Sequence, residues 1–407
     1  MNIPEHPDHQ AAAAEQEGEI PEQESRKALR AFALASFLND FGSDMIYPVW
    51  PLFVTSVLGA NMAVLGLLDG LGEAIVSLSQ AASGYFSDRF GKRKVFIWTG
   101  YLFGSLSRIG YAFSSTWIHL IPFRILDRMG KIRSAPRDAI IADLSTDSTR
   151  GRNFGLLRSM DNYGAVCGIV TCMLLFNIGY QNIFLLAAIP SILGASLILL
   201  SIKERKASTH IYKGLSLKQF DGNLWIFLVL SAIFALGSFS YSFLLLYALE
   251  QGIESHWLPA FYLIFTLIAA IFSYPFGKLS DFIGRRSVLI LAFIFWGWTC
   301  LSFLFVKSWW GMVFSFLLYG LHKGALEPVQ KSVVAELAPK GYRASTLGAF
   351  QMIVGFCALP SSFLAGLLWY YFGSAVPLQS SIVLTMVAIM LLFFVKERRV
   401  LLETEGG

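Results

Sequence analysis

Apolar residues run along this chain in stretches of about 20 or more, separated by short polar stretches, a period too long for the amphipathic faces of a soluble fold. Twelve such stretches lie at about 30–58, 63–86, 95–113, 117–144, 154–177, 183–202, 222–249, 256–279, 287–306, 309–338, 345–372 and 376–396. Each is long enough for a helix that crosses a hydrocarbon layer roughly 30 Å thick. Several exceed the minimum, which predicts tilted helices or helices that project beyond the bilayer. The pattern predicts an all-α membrane protein with six-helix bundles at 28–202 and 222–396. It leaves residues 1–27 as a disordered acidic tail, 203–221 as a basic linker and 397–407 as a C-terminal tail.

The polar stretches repeat. Gly84, Asp88, Gly91, Lys92 and Arg93 follow span two; Gly277, Asp281, Gly284, Arg285 and Arg286 follow span eight. Asp143, Arg150 and Gly155 recur as Glu336, Arg343 and Gly348. Every one of these pairs is 193 residues apart, so the chain is two copies of one unit. Such duplication is common among secondary transporters.

Charge sets the orientation. Of 32 Lys and Arg, 22 fall in the segments on the side of the N-terminus, only Lys307 falls in the loops on the other side, and nine lie inside spans. The side with the positive excess is expected to be cytoplasmic, with both termini there. Composition narrows the function. The chain is 55% hydrophobic and 14% charged, against about a quarter charged for a soluble protein. Its basic residues sit in short loops, which disfavours a nucleic-acid partner. Cys167, Cys172, Cys300 and Cys357 lie in apolar spans without metal spacing, so no metal and no cofactor is expected. There is no Walker loop, no HExxH and no Ser–His–Asp set, so neither ATP-driven pumping nor an enzyme is expected.

The two loops, at this spacing and among twelve spans, resemble the major facilitator superfamily, and the likeness covers residues 28 to about 400. Arg124, with Gly130 six residues on, resembles that family's fourth-helix motif. The resemblance implies two six-helix pseudo-repeats around a cavity that opens alternately to each side of the plasma membrane. It also implies that the loop cluster gates this motion: Gly84, Asp88, Gly91, Lys92, Arg93, Asp143 and Arg150 in one half, and Gly277, Asp281, Gly284, Arg285, Arg286, Glu336 and Arg343 in the other. Asp88 and Asp281 end their helices where a carboxylate favours the N-terminus of a neighbouring helix. The competing reading is a positively charged anchor with no gating role. One departure stands out: Ile169 follows Gly168 where antiporters of the superfamily often carry proline, so drug–proton antiport gains no support from that motif.

Ionisable residues inside spans are costly and mark candidate sites. Span one places Asp40, Asp44 and Tyr47 on one face, and span two adds Asp69 and Glu73. Span four carries Arg124, Asp127, Arg128 and Lys131 near mid-membrane, then Arg133, Arg137 and Asp138 beside a kink expected at Pro136. Span five adds Asp161, and span ten adds His322, Lys323 and Glu327. The candidate substrate and proton cavity is therefore Asp40, Asp44, Tyr47, Glu73, Arg124, Asp127, Arg128, Lys131, Asp161, His322, Lys323 and Glu327. A carboxylate drawn out of water holds its proton more readily, and a nearby cation opposes this. Asp40, Asp44 and Glu73 either carry protons or neutralise Arg124, Arg128 and Lys131. His322 is either a proton shuttle or a hydrogen-bonding cavity residue. The near balance of buried acids and bases favours a polar or zwitterionic solute over a purely lipidic one. The expected function is secondary active transport of a small polar or amphipathic solute by a proton-coupled monomer. The alternatives are a lipid scramblase and an efflux antiporter of the same fold.

Overall fold

A computed structural model of the chain describes residues 22–145, 150–204, 220–338 and 343–396. The acidic tail up to residue 21, linker residues 205–219 and the C-terminal tail lie outside the described residues, as do the side chains of Asp88, Arg150 and Arg343. Twelve helical rods follow the twelve predicted spans, and among the described residues there is no strand. They are α1 (Glu22–Ile46), α2 (Met62–Phe90), α3 (Lys94–Ala112), α4 (Trp117–Met129, continued by Ser134–Asp143), α5 (Arg150–Leu174) and α6 (Tyr180–Ser201). The second half holds α7 (Gly222–Gly237, continued by Tyr241–Glu250), α8 (Leu258–Ile283), α9 (Arg285–Phe305), α10 (Trp309–Leu337), α11 (Arg343–Phe372) and α12 (Ala375–Leu392). Seven of these rods are long and apolar enough to cross a membrane by composition and length alone: α2, α6, α7, α8, α9, α11 and α12.

The breaks have local causes. After α1 the chain passes through a short helix, Trp50–Leu52, into a π-helical turn, Phe53–Val57, where Pro48 and Pro51 lack the N–H a regular helix needs. Rod α4 bends through a 3-10 segment, Gly130–Arg133, and Pro136 sits in the first turn of the helix that follows. The kink expected at Pro136 therefore lies just before it. A proline in a first turn sacrifices no hydrogen bond, so the strain moves to the tighter turn upstream. Rod α7 opens at residues 238–240, between Gly237 and the next helix, whose N-cap is Ser240.

Glycine pairs four residues apart bring particular rods into close approach. Gly66 and Gly70 of α2 face Ser362 and Leu359 of α11 across the two halves, and a Cβ at Gly70 would stand 2.6 Å from Leu359 Cα. Gly164 and Gly168 press α5 against the Phe37 and Phe41 carbonyls of α1. Their role here is packing, since helices in lipid associate through close backbone contact at small residues. Gly66→Val is expected to lower stability by about 1–3 kcal/mol through overpacking. Thermal unfolding in detergent micelles checks this, with Gly297→Ala as the neutral control, because nothing lies within 4 Å of that position.

The apolar cores show where the halves meet. At the end bearing the basic loops, Phe32, Ile97, Tyr101, Ile141, Leu157 and Ile198 form a cluster confined to the first half. At the opposite end, Trp50, Phe53 and Phe184 of the first half join Phe243, Tyr247 and Leu258 of the second in one continuous core. The halves are thus fused at one end and parted at the basic end.

Candidate functional site

Between the parted halves lie two adjoining cavities of about 600 and 340 Å³. Arg158, Ser273 and Glu327 line both, which makes them one cleft between α5 on one side and α8 and α10 on the other. The larger chamber has an aromatic wall from the second half, Tyr241, Tyr262, Phe265 and Tyr319, and a polar wall from α5, with Arg158, Ser159 and Asn162. Lys323 and Glu327 project from α10, 4.0 Å apart. The smaller chamber, nearer the basic end, adds Arg137, Asp138, Asp161 and Lys331. Asp161 stands 4.0 Å from both Arg137 and Arg158, and its Oδ1 is buried without a hydrogen-bond partner.

The cleft is closed at the fused end by hydrogen bonds that cross between halves. Asp69 is the hub. Its Oδ1 accepts from Trp50 Nε1 at 2.9 Å and from Arg124 Nη2 at 2.8 Å, and its Oδ2 accepts from Ser240 Oγ at 2.7 Å. The Arg124 guanidinium also lies over the Trp50 ring, 4.3 Å from its centroid. Ser240 reaches Asp69 because the break in α7 leaves its side chain at a helix start. Two further bonds cross nearby: Tyr241 donates to the Tyr47 carbonyl at 3.2 Å and Tyr262 to Asp44 Oδ1 at 3.3 Å. Both tyrosines also line the cavity, so its aromatic wall is tied directly to the closed end.

The expected cavity residues separate into groups. Asp161, Lys323 and Glu327 line the cleft. Glu73 is exposed, whereas Asp40 is half-buried and accepts from Asn39 Nδ2. Asp44, Tyr47 and Arg124 belong to the closure at the fused end. Arg128 sits over the Tyr47 ring, donates to its hydroxyl at 3.4 Å and approaches Asp127 at 3.6 Å. Lys131 is half-buried and makes no ion pair among the described residues. His322 points elsewhere. It is fully buried among Phe234, Trp296 and Tyr319, with Nδ1 at 2.8 Å from the Ala292 carbonyl. A carbonyl can only accept, so Nδ1 carries the proton and the imidazole holds α10 to α9.

The repeated loops also meet partners. Arg93 bonds Asp143 at 2.5 Å, and Arg285 bonds Glu336 while standing 3.8 Å from Asp281. Each bond ties two elements of the same half. The acids are 193 residues apart, but the arginines slip by one, because α3 starts after Arg93 whereas α9 starts at Arg285. Gly91 and Gly284 make the turns at positive φ, 63° and 96°. Lys92 is exposed, and Arg286 lies over Phe393 and donates to the Val395 carbonyl. Gly84 packs near Ala135. Nothing lies within 4 Å of where a side chain at Gly277 would begin.

Two residues of consequence escaped the reading of the sequence as site residues: Asp69, noted but not selected, and Arg108. Arg108 is 1% exposed and donates to four groups: Ala187 O at 2.8 Å, Asn39 O at 3.3 Å, Ser43 Oγ at 2.8 Å and Ser191 Oγ. It joins α1, α3 and α6, and no carboxylate among the described residues forms an ion pair with it. Gly42 is part of the seat, since a Cβ there would collide with the guanidinium. A lone arginine within an apolar span was the available signal.

The chain matches the Major Facilitator Superfamily profile over residues 32–265 and 227–406. It is 36% identical over 385 residues to an uncharacterized MFS-type transporter of Methanocaldococcus jannaschii, covering 91% of this chain and 96% of that one. It is 24% identical over 323 residues to the multidrug resistance protein MdtH of Aeromonas hydrophila subsp. hydrophila, covering 78% of this chain and 81% of that one. The fold is similar to the crystal structure of a bacterial homolog of the human lysosomal transporter Spinster in an inward-facing and occupied conformation. The TM-score is 0.72 at 17% identity, over 93% of this chain and 97% of that one.

Proposed function

The chain belongs to the major facilitator superfamily, and on that premise we propose that it is a proton-coupled secondary transporter of a small polar or amphipathic solute. The observation that carries this reading is the cleft: parted at the basic end, closed at the other by bonds between the halves, and lined by charged and aromatic side chains. The basic end faces the cytoplasm of the cell whose plasma membrane holds the protein, because positively charged loops are retained there. The structure is then the inward-open state. The partners are the solute, the lipid bilayer and protons, and the reading assigns no catalysis.

Alternating access needs bonds at each end that form and break. The ion pairs Arg93–Asp143 and Arg285–Glu336 are partly exposed, and pairs of that kind contribute only about 0–1 kcal/mol, so they exchange partners at low cost. In the outward-open state the cytoplasmic cluster closes the inner mouth. Asp44 is the proton carrier of choice in this reading. It is buried, it forms no ion pair among the described residues, and its bond to Tyr262 crosses between the halves. Taking up a proton changes that bond at the contact which must open.

The test is uptake into proteoliposomes of a solute first found by thermal stabilisation of the purified protein with pooled metabolites and drugs. Accumulation is expected to follow an imposed pH gradient and to collapse with a protonophore. Asp44→Asn is expected to retain exchange of solute across the membrane and lose its acceleration by the gradient. Equal flux with and without the gradient in the unaltered protein would overturn coupling. The kinship with MdtH supports a second reading, efflux of amphipathic compounds, which the same screen separates by the chemistry of the stabilising pool. Lipid scrambling fits less well, because the cleft is walled by charged side chains where that function calls for a continuous apolar side open to lipid.

A further inference from the structure

Three of the ion pairs inside the cleft share an odd geometry. Arg137–Asp161, Arg158–Asp161 and Lys323–Glu327 all stand at 4.0 Å, the outer limit of an ion pair and beyond hydrogen-bonding distance. Arg124–Asp69, at the closed end, makes the contrast at 2.8 Å, and within the cleft Arg137 closes to 3.0 Å on its sequence neighbour Asp138. Arg158, Asp161, Lys323 and Glu327 are thus left in the cleft without a close ionic partner among the described residues. Asp161 Oδ1 is buried with no hydrogen-bond partner, and a buried acceptor in that state calls for a donor. The Arg158 side chain is 70% exposed into the cleft and makes no hydrogen bond among the described residues.

We infer that the site binds a zwitterion with an apolar side group, of amino-acid to dipeptide size. The carboxylate of the ligand takes hydrogen bonds from Arg158 of α5 and Lys323 of α10. Its ammonium donates to Asp161 and Glu327 on the same two helices. Arg158–Asp161 and Lys323–Glu327 are each thereby replaced by two charge-assisted bonds, with no net charge added to the cleft. A simple anion would satisfy Arg158 and Lys323 and leave Glu327 without a counter-ion, and a simple cation would leave Arg158 and Lys323 without one. The apolar group lies against Tyr241, Tyr262, Phe265 and Tyr319, which already meet edge to face around an open chamber of about 600 Å³. A ligand so held also bridges the two halves, since Arg158 and Asp161 belong to the first and Lys323 and Glu327 to the second. This inference rests on the proposed transport function and names the class of its substrate.

The experiment uses the full chain purified in detergent, with thermal stabilisation and intrinsic fluorescence as readouts of binding. The probes are the common amino acids and a set of dipeptides with apolar side chains, each compared with its desamino acid and its decarboxylated amine. At least one zwitterion is expected to bind, and its two truncated partners to bind about ten-fold more weakly or worse, one charge-assisted bond being worth at least that much. Arg158→Gln and Glu327→Gln are expected to weaken the zwitterion by a similar factor. Either variant must show the unfolding midpoint of the unaltered protein in the absence of ligand. Binding of anions alone, of cations alone, or of no zwitterion in the set overturns the inference. Proteoliposomes separate it from the transport reading. A zwitterion that binds but does not cross sinks transport and leaves the site standing, whereas coupled transport of a solute that is not a zwitterion does the opposite.

Discussion

Asp69→Ala is expected to destabilise the protein by about 3–5 kcal/mol and to open the end of the cleft that is closed in this structure. The carboxylate and Arg124 are 4% and 3% exposed, so removing one partner leaves a guanidinium out of water without its counter-ion. The indole N–H of Trp50 loses its acceptor at the same time, and Ser240 loses one of the bonds that join the halves. Asp69→Asn is expected to cost less. Its amide oxygen still accepts from Trp50 and Arg124, and its amide nitrogen donates to Ser240, so only the charge is lost. Stability is read from thermal unfolding in micelles. Access is read with a membrane-impermeant thiol reagent on Thr266→Cys, a lining position of the cleft, after replacement of the four native cysteines. Labelling in the unaltered background should come from the basic side. Asp69→Ala and, more gently, Ser240→Ala should raise labelling from the other side. If both variants fold and the side of labelling does not change, Asp69 is a structural residue and no latch.

Arg108→Ala is expected to be the second most damaging substitution. Hydrogen bonds between helices in membranes average about 0.6 kcal/mol and reach about 1.7. Losing the four from Arg108, together with the void left by a fully buried side chain, gives a loss of about 3–5 kcal/mol. One term opposes this, since a buried cation without a paired carboxylate is itself costly. Arg108→Met weighs the two effects. It fills much of the volume and removes the charge. If it is as damaging as alanine, the hydrogen bonds to α1 and α6 dominate. If it is neutral, the hydrogen bonds only offset the cost of burying the charge, and packing carries the net stabilisation. Unfolding midpoints of the three proteins in the same detergent decide between these outcomes.

How far the site could be read before the structure depended on the range of the contacts. The pair Lys323–Glu327 is one helical turn apart, and the sequence spacing already made them neighbours. Asp161 was chosen for its depth, and the cleft does contain it. Asp69 was passed over because its partners lie 19, 55 and 171 residues away, and nothing local to α2 announces them. His322 looked like a cavity residue by position and charge, but the packing of α10 on α9 turns it inward. Gly164 and Gly168 show the same limit from the other side. A motif test asks about one neighbouring residue, while their role is set by α1, more than a hundred residues earlier.

The sequence by itself determined the membrane class, the twelve spans and the duplication, because hydrophobic length and repeat spacing are properties of adjacent residues. Only the tertiary structure decided which charges meet, which end of the cleft is shut, and that Arg158, Asp161, Lys323 and Glu327 stand in the cleft without a close ionic partner among the described residues. The physical reason is that the rotation of a helix about its axis is set by its neighbours. Gly66 and Gly70 let α2 approach α11, and that approach, which no local period encodes, carries Asp69 to Ser240.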